Sequence, residues 1–126
     1  MWKIDASQAP ARVCVGLTAC TTTDARYNQL GQTWSNPFAG LIAPGASGNT
    51  NPVLIFGGGY DTAEDTVPTG SRTTGRAVYV VNGNDGTIVG SWGPSQSGTY
   101  RTGGSITTYS VPSQVTAINA DFDSQD

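Results

Sequence analysis

Residues 76–92, "RAVYVVNGNDGTIVGSW", decide the fold class of this chain. Two runs rich in Val, Ile and aromatic residues, which are enriched in strands, flank a turn of Gly, Asn and Asp. Asn84-Asp85-Gly86 supplies residue types that tolerate the positive φ angles of tight hairpin turns. The stretch therefore predicts a β-hairpin with Gly86 at its turn.

Other segments predict strands that could join this hairpin. Residues 53–59, "VLIFGGG", form a continuous apolar run typical of a strand that is buried on both faces. Residues 2–5, "WKID", alternate in polarity as a half-buried strand does. A proline precedes the short apolar run at 38–42, and "SVPSQVTAI" at 110–118 repeats this pattern. Residues 6–31 show little periodicity and predict a long excursion loop.

Composition agrees with an all-β chain. Seventeen glycines and many threonines and serines accompany few Leu, Glu or Lys, so strong helix formers are scarce. A length of 126 residues fits a single β-rich unit over 1–126, with one modest core. Segments 2–5 and 79–82 share a pattern, and so do 35–42 and 110–118, at an offset of roughly 75 positions. Such echoes favour repeated sheet units, as in a β-propeller.

Charge and residue usage exclude several functions. Only 12% of residues are charged and the net charge is −3, so the chain lacks the basic surface that nucleic acids or anionic membranes require. The chain contains no histidine and cannot by itself form a Ser-His-Asp triad, a Cys-His pair or a His-ligated zinc site. We therefore expect a protein that is not an enzyme.

The two cysteines, Cys14 and Cys20, are too few for a four-cysteine zinc site and lack C-x-x-C spacing. A small loop-closing disulfide, and with it the periplasm or the cell exterior, is the preferred interpretation. Two reduced thiols remain the alternative. No apolar run is long enough for a membrane-spanning helix, and no signal region follows Met1, so an export signal would have to lie outside this sequence.

Two sets of residues have both a functional and a structural interpretation. Gly57 to Gly59 could cradle a phosphate only before a helix N-terminus, so close approach of strands is the favoured explanation. Trp2, Trp34 and Trp92 could stack on a carbohydrate or a quinone, but packing between sheets is favoured.

The acidic stretch "DFDSQD", residues 121–126, could be a calcium loop or a solvated tail. Alternate side chains of a D-x-D-x-[DN] loop converge on one calcium ion. Asp121, Asp123 and Gln125 fit its first, third and fifth positions, and Asp126 stands where a turn glycine is usual. These four residues are the candidate metal ligands.

Five segments together resemble the C-terminal β-propeller of the PilY/PilC-type tip adhesins of type IV pili. They are "WKIDAS", "LGQTWSNP", "PVLIFGGGYD", the hairpin stretch "RAVYVVNGNDGTIVGSW" with the glycine before it, and "SVPSQVTAINADFDSQD". They span nearly the whole chain in the same order. The resemblance implies a seven-bladed propeller of which this chain covers roughly one complete blade and parts of its neighbours, with antiparallel sheets and long loops.

The resemblance also implies a function. It implies an extracellular protein at the pilus tip, with pilus-tip and minor pilin proteins and host or abiotic surfaces as partners, and a calcium loop that regulates pilus retraction. That loop maps onto Asp121 and Asp123 and less directly onto Gln125 and Asp126. An isolated blade exposes strand edges, so self-association is expected. The alternatives are a fragment of a quinoprotein-like dehydrogenase and an exported structural β-repeat without a ligand.

Overall fold

The computed structural model describes residues 1–5, 12–15, 19–42, 51–66, 73–93 and 109–118, and these residues form two antiparallel sheets. The first sheet has the strand order β1-β2-β3 and the second β4-β5-β6-β7, so within each sheet the strands pair in the order of the sequence. The bounds are β1 Trp2–Asp5, β2 Arg12–Val15, β3 Ala19–Thr23, β4 Phe38–Ile42, β5 Asn51–Gly57, β6 Val78–Asn82 and β7 Ile88–Trp92. The prediction of an all-β chain with antiparallel sheets is confirmed.

The predicted hairpin is present as β6 and β7. Tyr79 pairs with Ser91 and Val81 with Ile88, with a register shift between Val80 and Val81. Gly86 has a φ of 76°, a left-handed conformation that costs glycine little. Its N–H donates to the Asn82 carbonyl at 2.8 Å, which closes the turn. Local turn chemistry therefore places this hairpin as the sequence predicts.

Strand β5 is the central strand that the apolar run predicts. It pairs with β4 on one side and with β6 on the other. Val53 and Phe56 are both buried, although they point to opposite faces of the sheet. The prediction of burial on both faces is confirmed for these two side chains.

The prediction of a loop over residues 6–31 is wrong for most of the described part. Strands β2 and β3 form a hairpin there, and a 3-10 turn follows at Ala25–Gln29. A register shift between Val13 and Val15 interrupts the alternation that would have marked β2 as a strand. Cys14, which lies in that shift, is disulfide-bonded, and Cys20 is the other cysteine of the sequence. The disulfide interpretation is confirmed at Cys14.

The core joins the two sheets. Its buried members come from β2, the 3-10 turn and the four-stranded sheet: Val13, Tyr27, Phe56, Ala77, Tyr79, Val81 and Ile88. Trp2, Ile4, Leu30 and Leu54 pack against them. The Tyr79 ring lies 5.3 Å from the Tyr27 ring and 5.5 Å from the Phe56 ring, measured between centroids. These aromatic contacts tie the 3-10 turn to β5 and β6.

Two hydrogen bonds join Trp2 and Tyr27 to the β6–β7 turn and reinforce the packing of the core. The Trp2 indole N–H donates to the Gly83 carbonyl at 2.7 Å, and the Tyr27 hydroxyl donates to the Gly86 carbonyl at the same distance. Burial raises the pKa of Tyr27, so its phenol stays protonated and donates at all physiological pH values. Trp2 therefore packs between sheets, as the structural interpretation of this residue predicts.

The C-terminal part of the described chain differs from the prediction of a strand at 110–118. Of residues 109–118, only Val111 takes part in a bridge, with Gly59. The Val111 carbonyl accepts from the Gly59 N–H at 3.1 Å, and the Val111 N–H donates to the Gly75 carbonyl at 2.8 Å. The segment crosses two loops instead of extending a sheet. Among the described residues, no helix has the length and apolarity needed to span a membrane.

Candidate functional site

The four candidate calcium ligands lie outside the described residues. Asp121, Asp123, Gln125 and Asp126 therefore remain a prediction from the sequence. In the part of the chain that the structure describes, no three acidic, cysteine or histidine side chains gather as metal ligands would. The candidate site in the described part is a cleft with a different character.

This cleft, of about 370 Å³, lies beside the segment that connects the two sheets. Its walls carry an apolar side chain, a phenol, an amide and two hydroxyls, contributed by Leu30, Gly31, Gln32, Tyr60, Thr62 and Thr74. None of these groups is charged at neutral pH. We call this set of residues the Tyr60 cleft.

Backbone pairing builds the base of the Tyr60 cleft. Gln32 and Tyr60 form an antiparallel bridge in which each N–H donates to the other carbonyl, at 2.9 and 2.7 Å. Gly31 adds a bond from its N–H to the Gly58 carbonyl at 2.7 Å. Gly59 has a φ of 100°, and a Cβ there would collide with the Gln32 backbone. The glycines let two backbones approach closely, as the favoured interpretation of the Gly57 to Gly59 run predicts.

The Asp61 carboxylate holds the outer wall of the cleft. Asp61 is buried, and its Oδ1 accepts from the Ala63 N–H at 2.9 Å. Its Oδ2 accepts from the N–H groups of Thr73 and Thr74 at 2.7 and 2.9 Å. One side chain therefore connects the turn that carries Thr62 to the segment that carries Thr74, and fixes the distance between the two hydroxyls.

The environment of Asp61 favours its charged form. Burial alone would raise the pKa of the carboxyl, but hydrogen bonds from Thr74, Ala63 and Thr73 outweigh burial and hold the pKa below its ordinary value. A carboxylate that accepts three amide protons is engaged in structure and is poorly placed to act as a general base.

We predict that Asp61→Asn lowers the free energy of unfolding by about 1–3 kcal/mol at neutral pH, because an amide nitrogen cannot accept the N–H groups that the carboxylate accepts. The folded-state pKa of Asp61 is depressed, so its contribution is fully present above the unfolded-state value of about 3.9 and is lost as the pH falls through the folded-state pKa. The difference between wild type and variant should therefore shrink below about pH 4.

Urea unfolding at a series of pH values measures this difference. Asp65→Asn is the matched control, since it removes a carboxylate from the exposed end of the same 3-10 turn and should change the free energy of unfolding by less than about 0.5 kcal/mol. A difference between wild type and Asp61→Asn that stays constant from pH 7 to pH 3 would show that the charge of Asp61 does not contribute.

Ser110, in the described segment 109–118, also contacts the wall of the cleft that Asp61 holds. The Ser110 hydroxyl accepts from the Asp61 N–H at 3.0 Å and donates to Glu64 Oε1 at 2.8 Å. The Ser110 N–H also donates to Glu64 Oε1, at 3.1 Å. Ser110 thus attaches the described segment 109–118 to Asp61 and Glu64, next to the Tyr60 cleft.

Trp34 lies beside Tyr60, one of the residues that line the cleft. Trp34 is 67% exposed, and its ring lies 6.1 Å from the Tyr60 ring with an interplanar angle of 32°. The Tyr60 hydroxyl donates to Asp65 Oδ1 at 2.6 Å. That hydrogen bond, more than desolvation and nearby acidic groups, raises the pKa of Tyr60 to about 12. The phenol therefore stays neutral, and its oxygen is left to accept hydrogen bonds from a ligand.

The three tryptophans, which the sequence analysis treated alike, lie in different environments in the structure. Trp2 packs in the core and Trp92 is half-buried in β7, whereas the Trp34 ring is largely in solvent. Within the described residues, the Trp34 ring therefore does not pack between the two sheets. Its position two residues after Gln32, in a segment with Asn and Pro, was the available signal that it does not belong to a strand.

Comparison with known proteins adds no relative. No protein-family model, no curated protein and no solved structure matches this chain.

Proposed function

We propose that this chain is part of the β-propeller of a type IV pilus tip adhesin of the PilY/PilC type, a binding module and not an enzyme. The sequence segments that resemble this family support the proposal. So does one observation of the fold: a four-stranded sheet in sequential order, β4 to β7, shares a core with strands β1 and β2 of a second sequential sheet. Propeller blades are four-stranded sheets of this kind and pack face against face.

In this proposal β4 to β7 form the complete blade, and β1 to β3 belong to a neighbouring blade. Closed propellers have at least about four blades, so the remaining blades would come from elsewhere in the protein or from a partner. Strand β4 is an outer strand of its sheet, and its Leu41 side chain is 62% exposed. Such an edge accounts for the self-association that we propose for the isolated unit.

The proposed adhesin acts outside the cell, at the pilus tip, where it binds pilin-type partners and a host or abiotic surface. Its proposed calcium loop consists of Asp121 and Asp123 with Gln125 and Asp126. Carboxylate and carbonyl oxygens are the ligands that calcium prefers. A calcium ion that binds only the folded protein would raise its stability.

The experiment that tests this function is made in a bacterium that encodes the chain. Deletion of the coding sequence should abolish twitching and reduce the number of surface pili, and antibodies against the chain should label pilus tips in electron micrographs. Complementation with the Asp121→Ala, Asp123→Ala variant should restore pili but alter their retraction. Normal piliation, twitching and attachment in the deletion strain would refute the function, whereas wild-type behaviour of the double variant would refute only the calcium loop.

A further inference from the structure

We propose that the Tyr60 cleft, together with Trp34, is a binding site for a neutral glycan, with one sugar ring stacked on the Trp34 indole. This inference rests on the proposed adhesive function and names the class of ligand that the adhesin would bind. Three features of the described residues carry it: an exposed aromatic face, a set of uncharged polar groups beside it, and a rigid frame beneath both.

The exposed face of Trp34 is the first feature. A tryptophan that is 67% exposed leaves a large apolar surface in water, and covering it is favourable. The aliphatic C–H groups on one face of a sugar ring can cover such a surface. The Tyr60 ring, 6.1 Å away and inclined by 32°, offers a second surface for the next sugar residue.

The polar groups are the second feature. Gln32, Thr62 and Thr74 place an amide and two hydroxyls on the walls of the cleft. The Tyr60 hydroxyl already donates its proton to Asp65, so it can act only as a hydrogen-bond acceptor towards a ligand. Sugar hydroxyls donate as well as accept, and they match this mixture of groups.

The same hydrogen bond argues against a proline-rich peptide, the other common ligand of exposed aromatic pairs. Such a peptide presents backbone carbonyl groups, which need donors, and its prolines have no N–H. Charge argues against acidic sugars: Asp61, Glu64 and Asp65 follow Tyr60 closely, and they would repel a carboxylate or a sulfate. The observations therefore favour a neutral glycan.

The rigid frame is the third feature. The Gln32–Tyr60 bridge fixes two of the lining residues, and the Asp61 carboxylate fixes the wall that carries Thr62 and Thr74. A site that is already ordered loses little conformational entropy when the ligand binds. Weakly binding sugars need such preorganisation more than most ligands do.

The test uses the purified chain and four probes: maltotetraose, chitotetraose, N-acetyllactosamine and sialylated N-acetyllactosamine. Isothermal titration measures affinity, and saturation-transfer NMR identifies the sugar protons that lie against the protein. We expect at least one neutral probe to bind. Trp34→Ala should weaken that binding about tenfold or more, and Trp34→Phe, which keeps a ring, should weaken it by about threefold or less. Leu41→Ala, an exposed apolar side chain in β4, is the matched control and should leave binding unchanged.

Several results would overturn the proposal. The proposal fails if no neutral probe binds at millimolar concentration, if wild type and Trp34→Ala bind a neutral probe equally well, or if the chain prefers the sialylated probe. Binding of a proline-rich decapeptide in place of the sugars would assign the cleft to peptides. A dimer that dissociates in Trp34→Ala, without sugar binding, would assign it to a second copy of the chain.

Experiments in cells distinguish failure of the glycan site from failure of the proposed pilus function. A strain that carries Trp34→Ala should make normal numbers of pili and twitch normally, but attach less to a surface coated with the neutral sugar that the purified chain binds. Loss of piliation in this strain would contradict a role confined to ligand binding. Sugar binding in vitro with no effect of the gene deletion on pili would refute the pilus function and leave the glycan site in place.

Discussion

Tyr79→Ala should lower the free energy of unfolding by about 3–5 kcal/mol, the usual cost of truncating a buried aromatic residue to alanine. Tyr79 has no solvent-exposed surface, and its ring contacts those of Tyr27 and Phe56. Its hydroxyl also donates to the Arg26 carbonyl at 2.8 Å. The substitution therefore leaves a cavity between the four-stranded sheet and the 3-10 turn, and an acceptor without its donor.

Urea unfolding of wild type and variants measures this effect. Tyr79→Phe keeps the ring and removes only the hydroxyl, so it should lose about 1 kcal/mol. That variant keeps the prediction testable if Tyr79→Ala does not fold. Leu41→Ala, at a largely exposed position, should lose less than about 0.5 kcal/mol. A loss under about 1 kcal/mol in Tyr79→Ala would mean that this ring does not hold the 3-10 turn against the four-stranded sheet.

Gly59→Ala has the second-largest expected effect. A residue with a side chain at a φ of 100° is strained by about 1–3 kcal/mol. The added Cβ would also meet the backbone of Gln32 and the Thr33 nitrogen, which cannot rotate away as a side chain can. Crowding of this kind costs about 1–3 kcal/mol more. We therefore expect a total loss of about 2–6 kcal/mol in the free energy of unfolding, together with separation of the Gln32–Tyr60 bridge.

Amide hydrogen exchange locates the damage. The N–H groups of Gln32 and Tyr60 donate across the bridge, so both should exchange faster in Gly59→Ala than in wild type. Gly40→Ala is the matched control, because its Cβ would meet only the end of the Phe38 ring and its φ is not positive. If both glycine variants are equally stable, close backbone approach at Gly59 does not shape the cleft.

The parts of the fold that the sequence predicted depend on local chemistry. The β6–β7 hairpin follows from its turn residues, and β5 follows from one apolar run between turn signals. Strands β2 and β3 were not predicted, because Ala, Thr and Cys give a weak hydrophobic pattern and the register shift at Val13 and Val15 interrupts it. In addition, Val13 of β2 packs in a core with residues of the four-stranded sheet, a contact that no short window of sequence contains.

The sequence predicts the candidate cleft less well than it predicts the fold. Gln32 and Tyr60 meet through the backbone bridge between them, and Asp61 helps to hold Thr74 at the same wall by accepting from its N–H group. For Trp34 the sequence offered stacking on a ligand as one interpretation and favoured packing between sheets, because whether a tryptophan is buried depends on tertiary structure. The acidic stretch from Asp121 to Asp126 is the opposite case, since its ligand pattern is local in sequence and remains a prediction.

The hydrogen bond from Trp2 to Gly83 has a consequence for biosynthesis. It joins residues 81 positions apart, so strand β1 cannot reach this contact until the β6–β7 turn has been synthesised. At about 5–20 residues per second, that delay is roughly 4–16 s. During this interval the apolar side of β1 is uncovered, and aggregation competes with folding. A chaperone that holds the nascent chain should therefore increase the yield of this protein more than that of a domain whose core contacts are all close in sequence.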